Sequence, residues 1–458
     1  MKGYLTENQI AYVLFHLGMS IDLNQEIRNS FIFRKDTIEK NEKPSIIFKL
    51  DKKALNPDKI LNSNGIPLLF SAGPDKKVFD ISGKDVIFHH DLLKSVFYLL
   101  SGYQELHPEY LDSMGRYPYE LSIQSKLNII HTPVVNYYFR FISEGIKSFC
   151  KINKLPFNNR KHFNSFAFLL THDIDQVDTY NRYDAIYKLK QSIGVAPTRF
   201  PRKKELKYVI KYIQNTIKRK KNNPAWSFPM LIETALKYNL RPTYFFLPKD
   251  QLHHDAYYRF DEERIQHLFK LLEENDFEIG LHGTVKSSSE TAGMLKSYRS
   301  LESYSPQKIS GIRQHRLLYN ITKTPILQEN QGLQYDSSLG FAEHEGFRNS
   351  YCMPYRLFDH NNDRMMNLWE IPLNAMDVTL MHYRQLSYDE ILTTVLGMVE
   401  EIKRFNGTFV LLWHNNFFNE EYYPRIKEFY ISLIERLSEQ SPEGLSGREI
   451  IHRISNQA

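Results

Sequence analysis

The feature that most constrains this chain recurs through its second half: a short apolar run, then at once a polar cluster, then a stretch of helical periodicity. The first instance is Ser165-Phe-Ala-Phe-Leu-Leu170, followed by Thr171-His-Asp-Ile-Asp175. A run of that length is too short for a helix and reads as a buried strand that emerges into a loop. The pattern returns at Pro242-Thr-Tyr-Phe-Phe-Leu247, at Phe277-Glu-Ile-Gly-Leu281 before His282, and at Ile309-Ser-Gly-Ile312 before Arg313-Gln-His315. It returns again at Leu368-Trp-Glu-Ile-Pro-Leu373 and at Thr408-Phe-Val-Leu-Leu412 before His414. Between these runs lie helical stripes such as Ile265, Leu268, Leu271 and Leu272, and two capping-box patterns, Ser287-x-x-Glu290 and Ser387-x-x-Glu390. The second box is expected to open a long helix ending near Gly407, and Gly332 to stop a short helix before Tyr335. Such alternation predicts an α/β fold with parallel strands joined by helices, either a β/α barrel or a doubly wound sheet. In a barrel the strand C-terminal ends share one face, where loops assemble a site. Asp173, Asp175, His282, Arg313, His315 and His414 all fall at that position.

A chain of 458 residues exceeds the size at which a single core keeps growing, which predicts two domains. Residues 1 to 150 read as a smaller α+β domain, with strands at Ser45 to Leu50 and Ile66 to Phe70 and a helix from Asp91 to Tyr103. Residues 151 to 164, with Asn158-Asn-Arg-Lys161, read as a linker, residues 165 to 440 as the barrel, and residues 441 to 458 as a C-terminal tail. The net charge of +6 is modest for this length. Its strongest cluster, Lys218-Arg-Lys-Lys221, is expected to be the solvated end of a helix rather than a nucleic-acid or membrane contact. That helix carries the apolar stripe Leu206, Val209, Ile210, Ile213 and Ile217. No run approaches a membrane span and the N-terminus lacks a signal-peptide core, so the expected location is the cytoplasm.

Cys150 and Cys352 are the only cysteines, which excludes a disulfide framework and a Cys-rich zinc site. Any metal must be held by His and carboxylate. On an extended backbone Asp173 and Asp175 point to one side, with Ile174 turned into the packing. Such a pair is either a strand end with solvated carboxylates or, in a site, a metal ligand beside a general base or two carboxyls whose pKa values are driven apart. One carboxylate and two imidazoles with open positions suit a hydrolytic zinc or similar divalent ion, and a second carboxylate in reach serves as the base. Arg313 would orient that base, and His414, if protonated, would donate to a leaving amine or stabilise an oxyanion. The loop Phe341-Ala-Glu-His-Glu-Gly-Phe-Arg348 either lines a substrate cleft, with Arg348 for a phosphate or carboxylate, or is pinned by internal ion pairs. Trp413 is a candidate wall of the pocket, with core packing as the other reading. Glu370 and Asp377 either orient a histidine or form structural ion pairs. His253-His254-Asp255 is a weak metal candidate, because adjacent loop residues seldom converge on one ion.

Thr171-His-Asp-Ile-Asp175, Arg241-Pro-Thr-Tyr-Phe-Phe-Leu247, Phe277-Glu-Ile-Gly-Leu-His-Gly283, Arg313 and Leu411-Leu-Trp-His414, in that order, resemble the polysaccharide deacetylase family. This is carbohydrate esterase family 4, with the NodB homology domain, and the resemblance spans roughly residues 165 to 435. It implies a distorted β/α barrel of about seven strands that removes acetyl groups from sugars through a single divalent metal. It also implies that Asp173 stands at the base position of the family's Thr-Phe-Asp-Asp-Gly motif. The family's metal carboxylate comes next, where this chain has Ile174, so Asp175 is expected to serve instead. The family's His-Ser-x-x-His pair becomes His282-Gly-Thr-Val-Lys286, and lysine is no substitute for a neutral imidazole. His315, two residues past Arg313, is the expected third ligand. Phe97 to Glu105, Asp112-Ser-Met-Gly-Arg116 and Thr132 to Asn136 resemble an accessory region found ahead of bacterial deacetylase-like domains, with Asp112 and Arg116 expected to pair across Gly115. The implied substrate is an acetylated sugar or polysaccharide precursor, such as a nucleotide- or lipid-linked acetamido sugar. Two alternatives are a non-catalytic carbohydrate-binding relative that has lost its metal, and a metal-dependent hydrolase of another carbon-nitrogen amide bond.

Overall fold

Apolar runs pair laterally because a lone strand leaves its backbone N–H and C=O groups unsatisfied, and in this chain they do so in two main places. The computed structural model describes residues 1–35, 43–56, 60–74, 76–218, 223–249 and 256–456. In the N-terminal region lie β1 (Phe31–Arg34), β2 (Ile46–Lys49), β3 (Leu61–Ser63), β4 (Ile66–Leu68), β5 (Phe79–Ser82) and β6 (Asp85–Phe88). A small sheet runs in the order β1-β2-β6-β5, with only β5 antiparallel to its neighbour. β3 and β4 form a hairpin whose turn residues, Asn64 and Gly65, both take positive φ. The helices Leu92–Leu100 and Val134–Asn153 pack against these strands.

The second sheet contains β7 (Ala167–Ile174), β8 (Thr243–Phe246), β9 (Glu278–Gly283), β10 (Gly311–Gln314), β11 (Tyr335–Asp336), β12 (Tyr355–Asp359), β13 (Arg364–Glu370), β14 (Ala375–Met376), β15 (Thr408–Leu412) and β16 (Glu443–Gly444). β13, β11, β10, β9, β8, β7, β15 and β14 lie side by side in that order, each neighbouring pair parallel. The two ends of this row belong to one stretch of chain, since β13 leads directly into β14. At the crossing Ile371 N–H donates to Asp336 O at 2.9 Å and Asn374 N–H to Val410 O at 3.3 Å. The segment therefore closes the sheet into a distorted (β/α) barrel. Its wall has seven strand positions: β7, β8, β9, β10, β11, the β13–β14 segment and β15. β7 is buried at every residue, as a parallel strand covered on both faces must be.

Several expectations need correction. β7 does not end at Leu170 but runs through Ile174, pairing Asp173 with Phe245 of β8. The Ser387–Glu390 capping box forms, but Ser287 donates to Thr284 O and Gln314 Oε1 instead, and its helix starts later, at Thr291. Residues 441 to 458 are no tail. Through residue 456 they form β16, paired with β7, and a helix, Gly447–Ser455, that buries Ile450, Ile451 and Ile454. The N-terminus of that helix sits over the buried Glu278 carboxylate, which accepts the Arg448 N–H at 2.9 Å. It closes the barrel at the end opposite the polar clusters. Residues 151 to 164 are docked rather than free: Lys151 to Asn153 finish a helix, and Asn159 pairs with Ile21. The helix Arg202–Lys218 forms, yet Leu206, Ile210, Ile213 and Ile217 of its apolar stripe face outward. Arg219 to Lys221 lie outside the described residues. No described helix is long and apolar enough to cross a membrane.

The N-terminal region and the barrel share one continuous apolar core, in which Tyr12 and Phe97 pack on Phe358. Backbone bonds cross the same boundary, from Val135 N–H to Ser350 O at 2.9 Å and from Phe347 N–H to Ile130 O at 2.8 Å.

Candidate metal centre

Alternation along β7 aims Asp173 and Asp175 at the barrel mouth and buries Ile174. β9 delivers His282, β10 delivers Arg313 with His315 just beyond it, and β15 leads to His414. His282 Nδ1–H donates to Arg313 O at 2.8 Å, so its Nε2 turns to the carboxylates, 3.2 Å from Asp175 Oδ1 and 3.7 Å from Asp173 Oδ2. His315 Nε2 lies 4.0 Å from Asp175 Oδ1. Ligand atoms of Asp175, His282 and His315 all fall within 4.8 Å of one another. Asp175 Oδ1 keeps its ion-pair contact with His282, and His315 Nδ1 is buried without a hydrogen-bond partner, which costs about 1–3 kcal/mol unless something fills it. Burial alone would raise the Asp175 carboxyl, but His315, His282 and His414 outweigh it and hold that group well below the usual carboxylate range. Burial pushes His315 down to about 3. An ionised carboxylate beside the neutral His315 imidazole suits metal ligation. Burial lowers His282, but Asp173 and Asp175 draw it upward, so a cation would bind there by displacing its Nε2 proton. An imidazole locked by a backbone carbonyl is a common ligand arrangement. The three residues therefore fit a divalent cation.

Asp173 is held from its other side. Arg313, fully buried, donates from Nη1 to Asp173 Oδ1 at 3.0 Å and to Thr171 Oγ1 at 2.7 Å, and from Nε to Ser337 O at 2.7 Å. Its guanidinium lies 4.7 Å from the centre of the Phe245 ring. His414 is clamped by Asp377, which accepts its Nδ1–H and its backbone N–H, both at 2.7 Å. Burial would lower the imidazole, but Asp377, followed by Asp175 and Asp173, carries it up to about 10. His414 Nε2 stands 3.8 Å from Asp175 Oδ2.

These groups line a cavity of about 350 Å³ whose rim includes Met114 and Arg116 from the N-terminal region, together with Arg316, Leu317 and Tyr383. Arg116 pairs with Asp112 at 2.7 Å, as expected, and also donates to Arg316 O at 3.2 Å and Tyr383 OH at 3.3 Å. Arg316 and Leu317 take φ of 62° and 55°, left-handed values that a non-glycine residue adopts at a cost. Arg116 thus pins the strained turn that follows His315. The sequence signal for this role is slight, since a close Asp/Arg pair is ordinarily structural.

Other expected residues lie elsewhere. Arg348 is buried in an ion pair with Glu105 at 2.6 Å and donates to Gly340 O, so its charge is spent inside the fold and not on a substrate. Trp413 is fully buried against Phe418, Phe429 and Tyr430, as core. Glu370 accepts the Leu339 N–H and faces Asp336. Burial, then that neighbour, raises its carboxyl well above the ordinary value. Lys286 lies in the turn Lys286–Ser288 and does not line the cavity. His253, His254 and Asp255 lie outside the described residues. A second group with ligand atoms within 4.8 Å, His131, His344 and Glu345, bridges the N-terminal region to the barrel, with Arg384 Nε 3.3 Å from the Glu345 carboxylate.

Residues 5–151 match the model of a family of unknown function, DUF7033. No curated protein matches the sequence. Among solved structures the chain is similar to a Mycobacterium smegmatis protein assigned as a polysaccharide deacetylase, at 16% identity and a TM-score of 0.42 over 64% of this chain and 91% of that one. It is similar to PuuE allantoinase at 12% identity and a TM-score of 0.41, over 63% and 89%. A third likeness is the Xyl-CE4 domain of a multidomain xylanase from the hindgut metagenome of Trinervitermes trinervoides, at 8% identity and a TM-score of 0.34, over 64% and 92%.

Proposed function

We propose that this chain is a metal-dependent hydrolase that removes acetyl groups from an acetylated, usually amido, sugar or polysaccharide precursor, in the manner of the polysaccharide deacetylases its motifs resemble. The observation that carries the reading is the convergence of Asp175, His282 and His315 beside an Asp173–Arg313 pair and an oriented His414. A divalent ion held by those three residues, zinc being well suited to two imidazoles and a carboxylate, supplies Lewis acidity toward water and a carbonyl. Asp173 accepts the proton of the attacking water, and Arg313 fixes the orientation in which it does so. His414, protonated and aligned by Asp377, donates to the departing amine or to the developing oxyanion. Arg316 places positive charge at the rim, which favours a precursor carrying phosphate. The assigned residues come from the C-terminal ends of four strands, β7, β9, β10 and β15, so the barrel supplies the rigidity that such positioning requires.

Elemental analysis tests the reading together with acetate release from short acetylated amino-sugar oligomers. Wild type should hold an equivalent of metal that His315→Ala and Asp175→Asn both lose and His131→Ala keeps. Asp173→Asn should keep the metal and lose acetate release by about 10²-fold or more. Metal unaffected by His315→Ala would sink the ligand assignment.

A further inference from the structure

The helices Arg182–Ser192 and Arg202–Lys218 leave the barrel directly after β7, on the face that carries the cavity. They pack on each other as a hairpin, and the second helix turns the wrong side to the protein. Its inward side is polar: Glu205, fully buried, accepts from Lys188 Nζ at 2.9 Å, Thr198 Oγ1 at 2.6 Å and Tyr422 OH at 3.0 Å, while Lys207 and Lys211 reach Glu421. Its outward side is apolar. Leu206, Ile210, Ile213 and Ile217 are 46, 46, 48 and 75% exposed, and spacings of four, three and four put them on one stripe. The partner helix continues the surface with Ile186, Leu189 and Ile193, and the connection adds Val195, 71% exposed. A helix on a water-facing surface normally shows the opposite polarity. Exposed apolar side chains gathered in this number on one hairpin mark an interaction site.

Charge decides what covers it. Residues 181 to 218 contain ten Lys and Arg against Asp184 and Glu205 alone, a local excess of +8 that is larger than the +6 of the whole chain. Lys190, Arg202 and Lys203 are exposed beside the stripe, and in sequence Lys218-Arg-Lys-Lys221 follows it. Cations flanking a stripe of Leu and Ile match an anionic lipid surface, with the apolar side chains entering the acyl boundary and the ammonium and guanidinium groups meeting headgroup phosphates. In the turn between the two helices Arg199 lies over the ring of Tyr383, 5.8 Å from its centre, and Tyr383 lines the cavity.

We infer that this inverted amphipathic hairpin seats the protein on an anionic phospholipid bilayer with the barrel mouth at the surface. It follows, resting on the hydrolase reading, that the acetylated sugar is presented on a lipid carrier. The purified full chain is to be sedimented with phosphatidylcholine vesicles, with and without about a quarter phosphatidylglycerol. Binding is expected only to the anionic vesicles, weakening as salt is raised. Ile210→Glu with Ile213→Glu should abolish it, and Lys190→Gln and Lys203→Gln should each weaken it about fivefold. These side chains are exposed, so the variants should keep the wild-type circular dichroism and melting temperature. No sedimentation at low salt, or sedimentation untouched by the two Glu substitutions, would overturn the inference. So would a dimer in light scattering that those substitutions dissociate, which would give the face to a second copy. Acetate release from a soluble oligomer should be unchanged in the hairpin variants. Vesicle binding without any acetate release would leave the lipid contact standing and remove the hydrolase reading and the lipid-carried substrate with it.

Discussion

Asp377 meets His414 twice, at the ring and at the backbone, which fixes both the position and the charge of the imidazole. Asp377→Asn keeps the shape and removes the charge that raises His414 to about 10. The raised value means that wild-type imidazolium persists through neutral pH and is lost only as pH climbs past the folded pKa. In the variant that loss comes earlier, so the alkaline limb of the pH–rate profile should move down by more than one unit and the plateau fall about 10²-fold. An unmoved limb would show that His414 is not the proton donor. Arg348 makes the contrasting case. Arg348→Met leaves Glu105 buried without its partner and should cost about 3–5 kcal/mol in urea unfolding, with KM unchanged. A raised KM at unchanged stability would return Arg348 to the substrate. Asp173, Asp175, His282, Arg313, His315 and His414 were legible because each follows an apolar run. Arg348 and Asp377 were not, because a loop arginine and a strand-flanking aspartate look alike in sequence whether they face substrate, a histidine or another chain segment.

At the scale of elements, legibility followed length. β7, β8, β9 and β15 are apolar runs of four residues or more and stand out, whereas β11, β14 and β16 are two-residue pairs that exist only through their neighbours. The helix Gly447–Ser455 did carry a readable signal, the box Ser446-x-x-Glu449 ahead of Ile450, Ile451 and Ile454, and that box forms. Its counterpart at Ser287 fails because Gln314 takes the hydroxyl. A motif of this kind states a preference that tertiary partners override. The first helix, Glu7–Leu17, yields a pH prediction. It docks on β12 through His16, whose Nε2 accepts the Arg356 N–H at 3.0 Å while Nδ1–H donates to Tyr12 O. Burial drives this imidazole down to about 3, below its unfolded value near 6.5. The unfolded chain therefore binds the proton first, and stability present above about pH 6.5 is lost as pH falls toward 3. His172, lowered to about 4 by burial, acts with the same sign. Urea unfolding at pH 7.5, 6 and 5 should show this decline, and His16→Gln should reduce its slope by up to about 1.4 kcal/mol per pH unit. An identical slope in the variant would remove His16 from the acid response.

For the molecule as a whole, length predicted two domains, and the smaller N-terminal domain shares a continuous apolar core with the barrel. The core runs unbroken from Tyr12 and Phe97 to Phe358. Glu105 is the only counter-charge within ion-pair reach of Arg348 among the described residues, and Asn136 accepts the backbone N–H of Cys352. Residues from the two halves also meet at the cavity, where Arg116 holds the turn after His315. Cutting the chain between helix Val134–Asn153 and β7 would expose that apolar boundary and leave a buried arginine without its partner, each costing several kcal/mol against a total stability of only about 5–15 kcal/mol. Scanning calorimetry of the full chain should accordingly give one transition, not two. Residues 156 to 458 expressed alone should be aggregated or molten, while co-expression with residues 1 to 155 should recover a soluble complex that binds metal. Arg116→Met in the intact chain separates the two roles of the N-terminal half. The rim substitution should leave the calorimetric transition single and weaken metal retention, because His315 loses the turn that positions it. A soluble, metal-binding barrel on its own would show that the two domains fold independently, and that the site owes nothing to Arg116.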